Sequence, residues 1–207
     1  VEEALALCSK RTKGQIQFNK IETERDVQII LDWLLNVELK RPDFTVLHNE
    51  EDFSINLSGL KLRLRIDRID EIHGNGLLLI DYKTGREAKP GDWFAEKIRA
   101  PQLPLYAIAK PPAGLAYAHL AIGKPELRGT AKSDFPQSGF KNTDFTKKTS
   151  ASDWGELLDF WKNNLTSVAQ EFLQGNHQVS PINNGEPCRH CEFSSFCRIQ
   201  QVQEDTL

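Results

Sequence analysis

Between Phe44 and Lys83 apolar and polar residues alternate almost without a break, and two glycine turn signals, Ser58-Gly59 and Gly74-Asn75-Gly76, cut the stretch into three. Period-2 alternation bounded by such turns specifies antiparallel strands, because successive side chains of a strand point to opposite faces. The spacing predicts strands near 44–57, 60–72 and 77–82. Ahead of them, Val27, Ile30, Trp33, Leu34 and Val37 recur at helical spacing until Pro42 stops the run, which predicts an amphipathic helix within 21–40.

Behind the strands, Pro101 opens a short helix that puts Gln102 and Tyr106 four apart on one face. The small apolar run "AGLAYAHLAIG" then reads as a buried strand, so strand, helix and strand form a crossover unit. Residues 124–150 show no clean period and read as a loop with at most one strand. From 151 to 175 a long helix is capped by Ser152 and the acidic start that follows it and ends at Gly175, with Trp154, Leu157, Leu158, Trp161, Leu165, Val168 and Phe172 as its apolar stripe. A tail, 176–207, carries three of the four cysteines. The elements predict one α/β domain over 1–207, its mixed central sheet flanked by helices and its core at 44–123.

Asp81 is the residue that this fold has most trouble accommodating. It follows the four-residue apolar run Leu77–Ile80, typical of a strand buried on both faces, where an unpaired carboxylate is costly. Lys83, two residues on, emerges on the same face, and the Gly74–Gly76 turn brings Asp67 close to Asp81 across a hairpin. Two converging carboxylates repel unless a cation sits between them, and hard oxygen donors suit Mg2+ or Mn2+, with the Tyr82 carbonyl as a further ligand. Lys83 is then placed to orient an attacking water or to stabilise charge developing on a phosphate. The plainer reading of the same spacing is a surface ion-pair ladder with Asp67 on a solvated edge.

Basic residues carry two readings as well. The chain has 26 basic and 29 acidic residues, a net charge of −3, so any contact with nucleic acid must come from a local patch. Arg63, Arg65 and Arg68 are candidates for phosphate contact, the alternative being ion pairs with neighbours such as Asp70. Lys141, Lys147 and Lys148 lie in a basic segment interleaved with Phe135, Phe140 and Phe145, a composition that suits single-stranded DNA as well as a solvated loop. No apolar run is long enough to span a bilayer, and the first residues, "VEEALALCSK", do not read as a secretory signal, so a cytoplasmic setting is expected, the chain being a piece of something larger.

Cys188, Cys191 and Cys197, spaced C-x2-C-x5-C, predict a metal centre rather than disulfides. With Cys8, His177 or His190 as fourth ligand, tetrahedral Zn2+ is acceptable, and with a distant cysteine an iron–sulfur cluster is equally so.

Taken in order, "RIDRID" at 65–70, "LLLIDYKTG" at 77–85 and "PQLPLYA" at 101–107 resemble the RecB-like branch of the PD-(D/E)xK nuclease superfamily, which includes the nuclease domains of RecB and AddB. The resemblance implies a restriction-endonuclease-like core and a Mg2+-dependent deoxyribonuclease, an exonuclease by preference. Its metals would be bound by Asp67 and Asp81, its catalytic lysine would be Lys83, and Gln102 and Tyr106 would organise the site and the DNA. Glu50 matches a glutamate that often precedes the first strand of the family. For the cysteines the resemblance implies a [4Fe-4S] cluster, the trio joined by a cysteine from the start of the domain, a position that Cys8 occupies. It also implies a helicase or helicase-like region in the same or a partner chain, acting in recombination or DNA repair. One family feature is missing: an upstream Gly-x-x-x-His helix, since residues 1–43 contain no histidine. The alternative reading is a catalytically incomplete nuclease fold that serves as a DNA-binding or scaffolding module.

Overall fold

In the computed structural model, residues 13–84, 88–176, 179, 188 and 191–197 are described. Strands β1 (Phe44–Leu57) and β2 (Leu60–Ile72) form a long hairpin whose turn is closed by Gly59 at φ 99°, its N–H bonded to the Asn56 side chain at 2.7 Å. β3 (Gly76–Lys83) returns antiparallel to β2, but the ladder between them reaches only to Arg68↔Ile80. The helix α2 (Gln102–Ala109) crosses over to β4 (Gly114–His119), which runs parallel to β3, with Asp81↔Tyr117 and Lys83↔His119 in register. β5 (Glu126–Ala131) and the short β6 (Lys141–Asn142) complete a six-stranded mixed sheet in the order β1-β2-β3-β4-β5-β6.

Two apolar layers cover this sheet. On one face α3 (Trp154–Leu173) and α2 bury Ile69, Leu79, Leu115 and Tyr117 under Trp93, Leu157 and Trp161. On the other, Trp33 and Val37 close over Ile72, Leu78, Ile80, Ala116 and Ala118. Those two residues stand at the end of α1 (Lys13–Asn36) and just beyond it. Alternation along β3 therefore sends Leu79, Asp81 and Lys83 toward α2 and α3, and Leu78, Ile80 and Tyr82 toward α1.

Four local expectations need correction. α1 begins at Lys13 rather than near 21 and stops at Asn36, with a 3-10 turn at Glu38–Lys40 before Pro42. Of its expected stripe only Trp33 and Val37 are buried, Val27, Ile30 and Leu34 remaining 44 to 52% exposed, because only this end of the helix meets the sheet. Residues 124–150 hold β5 and β6 rather than a loop, and their Phe135, Phe140 and Phe145 are core residues, so these rings are not a stacking surface for single-stranded DNA. At α3 the expected cap forms, Asp153 accepting from the Glu156 N–H at 2.9 Å and the Glu156 carboxylate from the N–H and hydroxyl of Ser152, but Val168 and Phe172 of its expected stripe stay exposed.

Among the described residues no helix is long and apolar enough to cross a membrane. Cys8, His177 and His190 lie outside the described residues.

Candidate active site

Asp67 and Asp81 meet where the β2–β3 ladder ends. Past the last backbone pair, Arg68↔Ile80, the connection continues through a side chain, the Tyr82 N–H donating to Asp67 Oδ2 at 2.9 Å. Asp81 is buried, and Lys83 Nζ stands 2.5 Å from its Oδ2. Lys83 is the partner of this buried oxygen, which has no other polar contact among the described residues. Burial holds the Asp81 carboxyl above the usual carboxylate range; Lys83 pulls it down and the neighbouring charge of Asp67 pushes it up. Two carboxylates and one ammonium leave the cluster a net negative charge.

Helix α2 braces this cluster from the side. Gln102 Nε2 donates to the Tyr106 hydroxyl at 2.8 Å, and that hydroxyl donates to the Arg65 carbonyl, two residues ahead of Asp67 on β2. Tyr106 is buried, with Phe53 edge-on at 5.7 Å between ring centres, and burial raises its phenol above the ordinary range, reinforced by the charges of Asp81 and Asp67. The Gln and Tyr four apart thus fix the strand that presents Asp67.

Two aromatic residues that the sequence reading did not single out form the floor. Tyr117, in register with Asp81, accepts from Trp93 Nε1 at 2.8 Å, and Lys83 Nζ lies 5.7 Å from its ring centre. Burial pushes the Tyr117 phenol up to about 12, with the charge of Asp81 adding to the shift. His119, in register with Lys83, pairs its Nε2 with the Ala88 carbonyl at 2.9 Å. Only the pairing of β4 beside β3, itself predicted from the crossover pattern, could have drawn attention to these positions.

The remaining candidates are spread more widely. Arg63 and Arg65 lie on the open face of the hairpin with side chains 82% and 57% exposed, paired to Asp52 and Glu50. Glu50 has a positive φ of 53° and belongs to that surface pair rather than to the carboxylate cluster. Arg68 turns to the other side, toward Asp70, Glu38 and Tyr82, with its side chain 11% exposed, so it has no surface for a phosphate. Lys141 and Lys147 are exposed and paired with Glu126 and Asp144, and Lys148 is exposed. Cys188, Cys191 and Cys197 are unbridged thiols around the turn into α4 (Ser194–Cys197), where the Cys191 N–H bonds the Cys188 carbonyl at 3.3 Å. Among the described residues no three His, Cys, Asp or Glu side chains gather as a ready-made ligand set.

The model of the PD-(D/E)XK nuclease superfamily matches residues 2–198. Over 94 residues, 42% of this chain, the sequence is 29% identical to one of the subunits of the ATP-dependent helicase/deoxyribonuclease of Desulforamulus reducens, and this stretch spans 8% of that relative's length. A solved structure titled "Crystal structure of SSO0001" superposes with a TM-score of 0.39 at 17% identity, covering 89% of this chain and 73% of that one.

Proposed function

The chain belongs to the PD-(D/E)XK nuclease superfamily, and from that premise we propose that it is a divalent-metal-dependent, DNA-cleaving domain of a larger helicase–nuclease. The observation that carries this reading is a buried carboxylate, Asp81, set beside a second carboxylate, Asp67, and the Lys83 ammonium at the point where the β2–β3 ladder ends. A buried carboxylate beside a second one is expensive in a structural role and useful in a cation site. The donors present, Asp67, Asp81 and the carbonyl of Tyr82, are hard oxygens and fit Mg2+ or Mn2+. A divalent cation bound there supplies charge neutralisation and Lewis-acid polarisation of a phosphate oxygen.

The chain's own residues do the rest. Asp67 is oriented by the Tyr82 N–H, and Asp81 is held by its place in the buried strand. The Lys83 ammonium, one-third exposed and paired to Asp81, orients a water for in-line attack and faces the charge that builds on the phosphate. Arg63 and Arg65 line the approach along the hairpin and hold the DNA backbone, helped at a distance by Lys141, Lys147 and Lys148. Gln102 and Tyr106 keep β2 in place.

The cysteine trio fits a second, structural centre. The thiols are unbridged, and although the described residues do not hold them gathered as a ligand set, their C-x2-C-x5-C spacing supports soft ligands for a [4Fe-4S] cluster, with Cys8 as the fourth, or for Zn2+, a centre that would tie the tail to the start of the domain. The proposed setting is the cytoplasm, in recombination or repair, with exonuclease action as the mode and a helicase region supplying the strand.

The test is a titration of Mg2+ and Mn2+ against end-labelled single-stranded and duplex DNA. Cleavage that needs the metal, with mononucleotide or short products released from one end, supports the exonuclease reading. Metal-independent binding without cleavage supports the scaffolding alternative.

A further inference from the structure

The face of the sheet opposite the carboxylates holds an ion cluster that the proposed chemistry does not use. Glu38, in the 3-10 turn after α1, gives one oxygen to Arg41 Nη1 at 2.9 Å and the other to Arg68 Nη1 at 2.8 Å. Asp70 does the same, taking Arg41 Nη2 and Arg68 Nε, each at 2.6 Å. The four side chains close a neutral ring, Glu38–Arg41–Asp70–Arg68, in which each carboxylate uses both oxygens and none of the four side chains is more than 11% exposed. Trp33 Nε1 donates to Glu38 at 2.9 Å, and Arg41 lies 4.0 Å over the Phe44 ring, so the ring is packed as well as paired.

The ring has one outlet toward the site, where Arg68 Nη1 donates to the Tyr82 hydroxyl at 2.9 Å. Tyr82 is therefore held at both ends, its hydroxyl by the ring and its N–H by Asp67 Oδ2. Arg68 and Tyr82 are the chain neighbours of Asp67 and Asp81, and they flank the point where β2 and β3 stop sharing backbone hydrogen bonds. Past that point the ladder gives way to side-chain bonds, from the Tyr82 N–H to Asp67 Oδ2 and from Arg68 to the Tyr82 hydroxyl.

We propose that the Glu38–Arg41–Asp70–Arg68 ring, acting through the Tyr82 hydroxyl, is a positioning device that sets the separation and orientation of Asp67 and Asp81 and so tunes cation affinity. The inference rests on the nuclease reading of the site. Outer groups that orient ligating carboxylates commonly change metal affinity by about 10- to 100-fold when removed. Removing a ring member would leave a buried charge unpaired and threaten the fold, whereas Tyr82→Phe cuts the link and leaves the ring and the backbone carbonyl in place.

The deciding experiment measures Mn2+ binding to the full chain directly, by the electron paramagnetic resonance signal of free Mn2+, with thermal unfolding of the metal-free protein alongside. Tyr82→Phe should weaken Mn2+ binding about tenfold with little change in the melting temperature, and Arg68→Lys, which keeps the charge but loses the fork, should weaken it in the same direction. A Tyr82→Phe protein with wild-type Mn2+ affinity overturns the positioning role, as does one whose only change is a lower melting temperature. If the wild-type chain itself binds no Mn2+, the nuclease reading has failed instead.

Discussion

The Tyr82 N–H donates to Asp67 Oδ2 at 2.9 Å, a side-chain bond that continues the β2–β3 connection just beyond its last backbone pair. This bond fixes one carboxylate of the pair by the strand that carries the other. The other carboxylate, Asp81, is buried and held by Lys83 at 2.5 Å.

Tyr106 should matter to stability and to activity together. Its hydroxyl serves Gln102 and the Arg65 carbonyl, so Tyr106→Phe removes two hydrogen bonds, each worth about 0.5–1.5 kcal/mol. Urea unfolding should show a lower midpoint with an unchanged slope, and metal-dependent cleavage should slow because β2 is less firmly held. An unaltered midpoint would remove the brace from the account.

A pH dependence follows from Asp81. Its carboxyl is held above the ordinary range by burial, so between the unfolded and folded values the native state binds the extra proton, and stability rises as pH is lowered through the folded value toward the unfolded one. Above the folded value the buried charge is a standing cost. Asp81→Asn should therefore melt at a higher temperature than wild type at neutral pH in metal-free buffer, by differential scanning fluorimetry. Mn2+ affinity of the wild type should also begin to fall, as pH is lowered, above the usual aspartate range. Identical melting temperatures would show that Lys83 fully offsets the burial.

Gly129 is the position where the sheet tolerates no side chain. A Cβ there would lie 1.8 Å from the Leu115 carbonyl oxygen on β4, a backbone atom that cannot step aside without breaking the strand pair. Gly129→Ala should fail to give folded protein, judged by loss of the cooperative unfolding transition. A well-folded variant would contradict the β4–β5 pairing.

The cysteine centre separates by metal content. Protein purified without oxygen should be brown and contain iron, and Cys191→Ser should lose both colour and iron. Zinc in the wild type, colourless and lost in the same variant, would replace the cluster with a tetrahedral zinc site.

Much of this was legible in the sequence because local signals and tertiary structure agreed. The three strands from Phe44 to Lys83 follow from alternation and glycine turns, and their hairpin geometry brings Asp67 and Asp81 together as expected. The mixed sheet follows from the crossover through α2. What was not legible depended on partners distant in sequence. β5 looks like loop because its Gly129 is chosen for close backbone approach rather than strand propensity. Arg68 reads as a phosphate ligand until Glu38 arrives from 30 residues upstream. The apolar residues of α1 read as a buried stripe, yet helical spacing says nothing about how much of a helix reaches the sheet.

The central claim is that Asp67, Asp81 and Lys83 form a metal-dependent DNA-cleaving site, and the most direct measurement is the cleavage rate of Lys83→Ala against wild type in saturating Mg2+ or Mn2+. Lys83→Ala keeps both carboxylates and the buried strand, so the protein should stay folded by circular dichroism while cleavage falls by roughly 10²- to 10³-fold or more. Cleavage at the wild-type rate by folded Lys83→Ala would contradict the account.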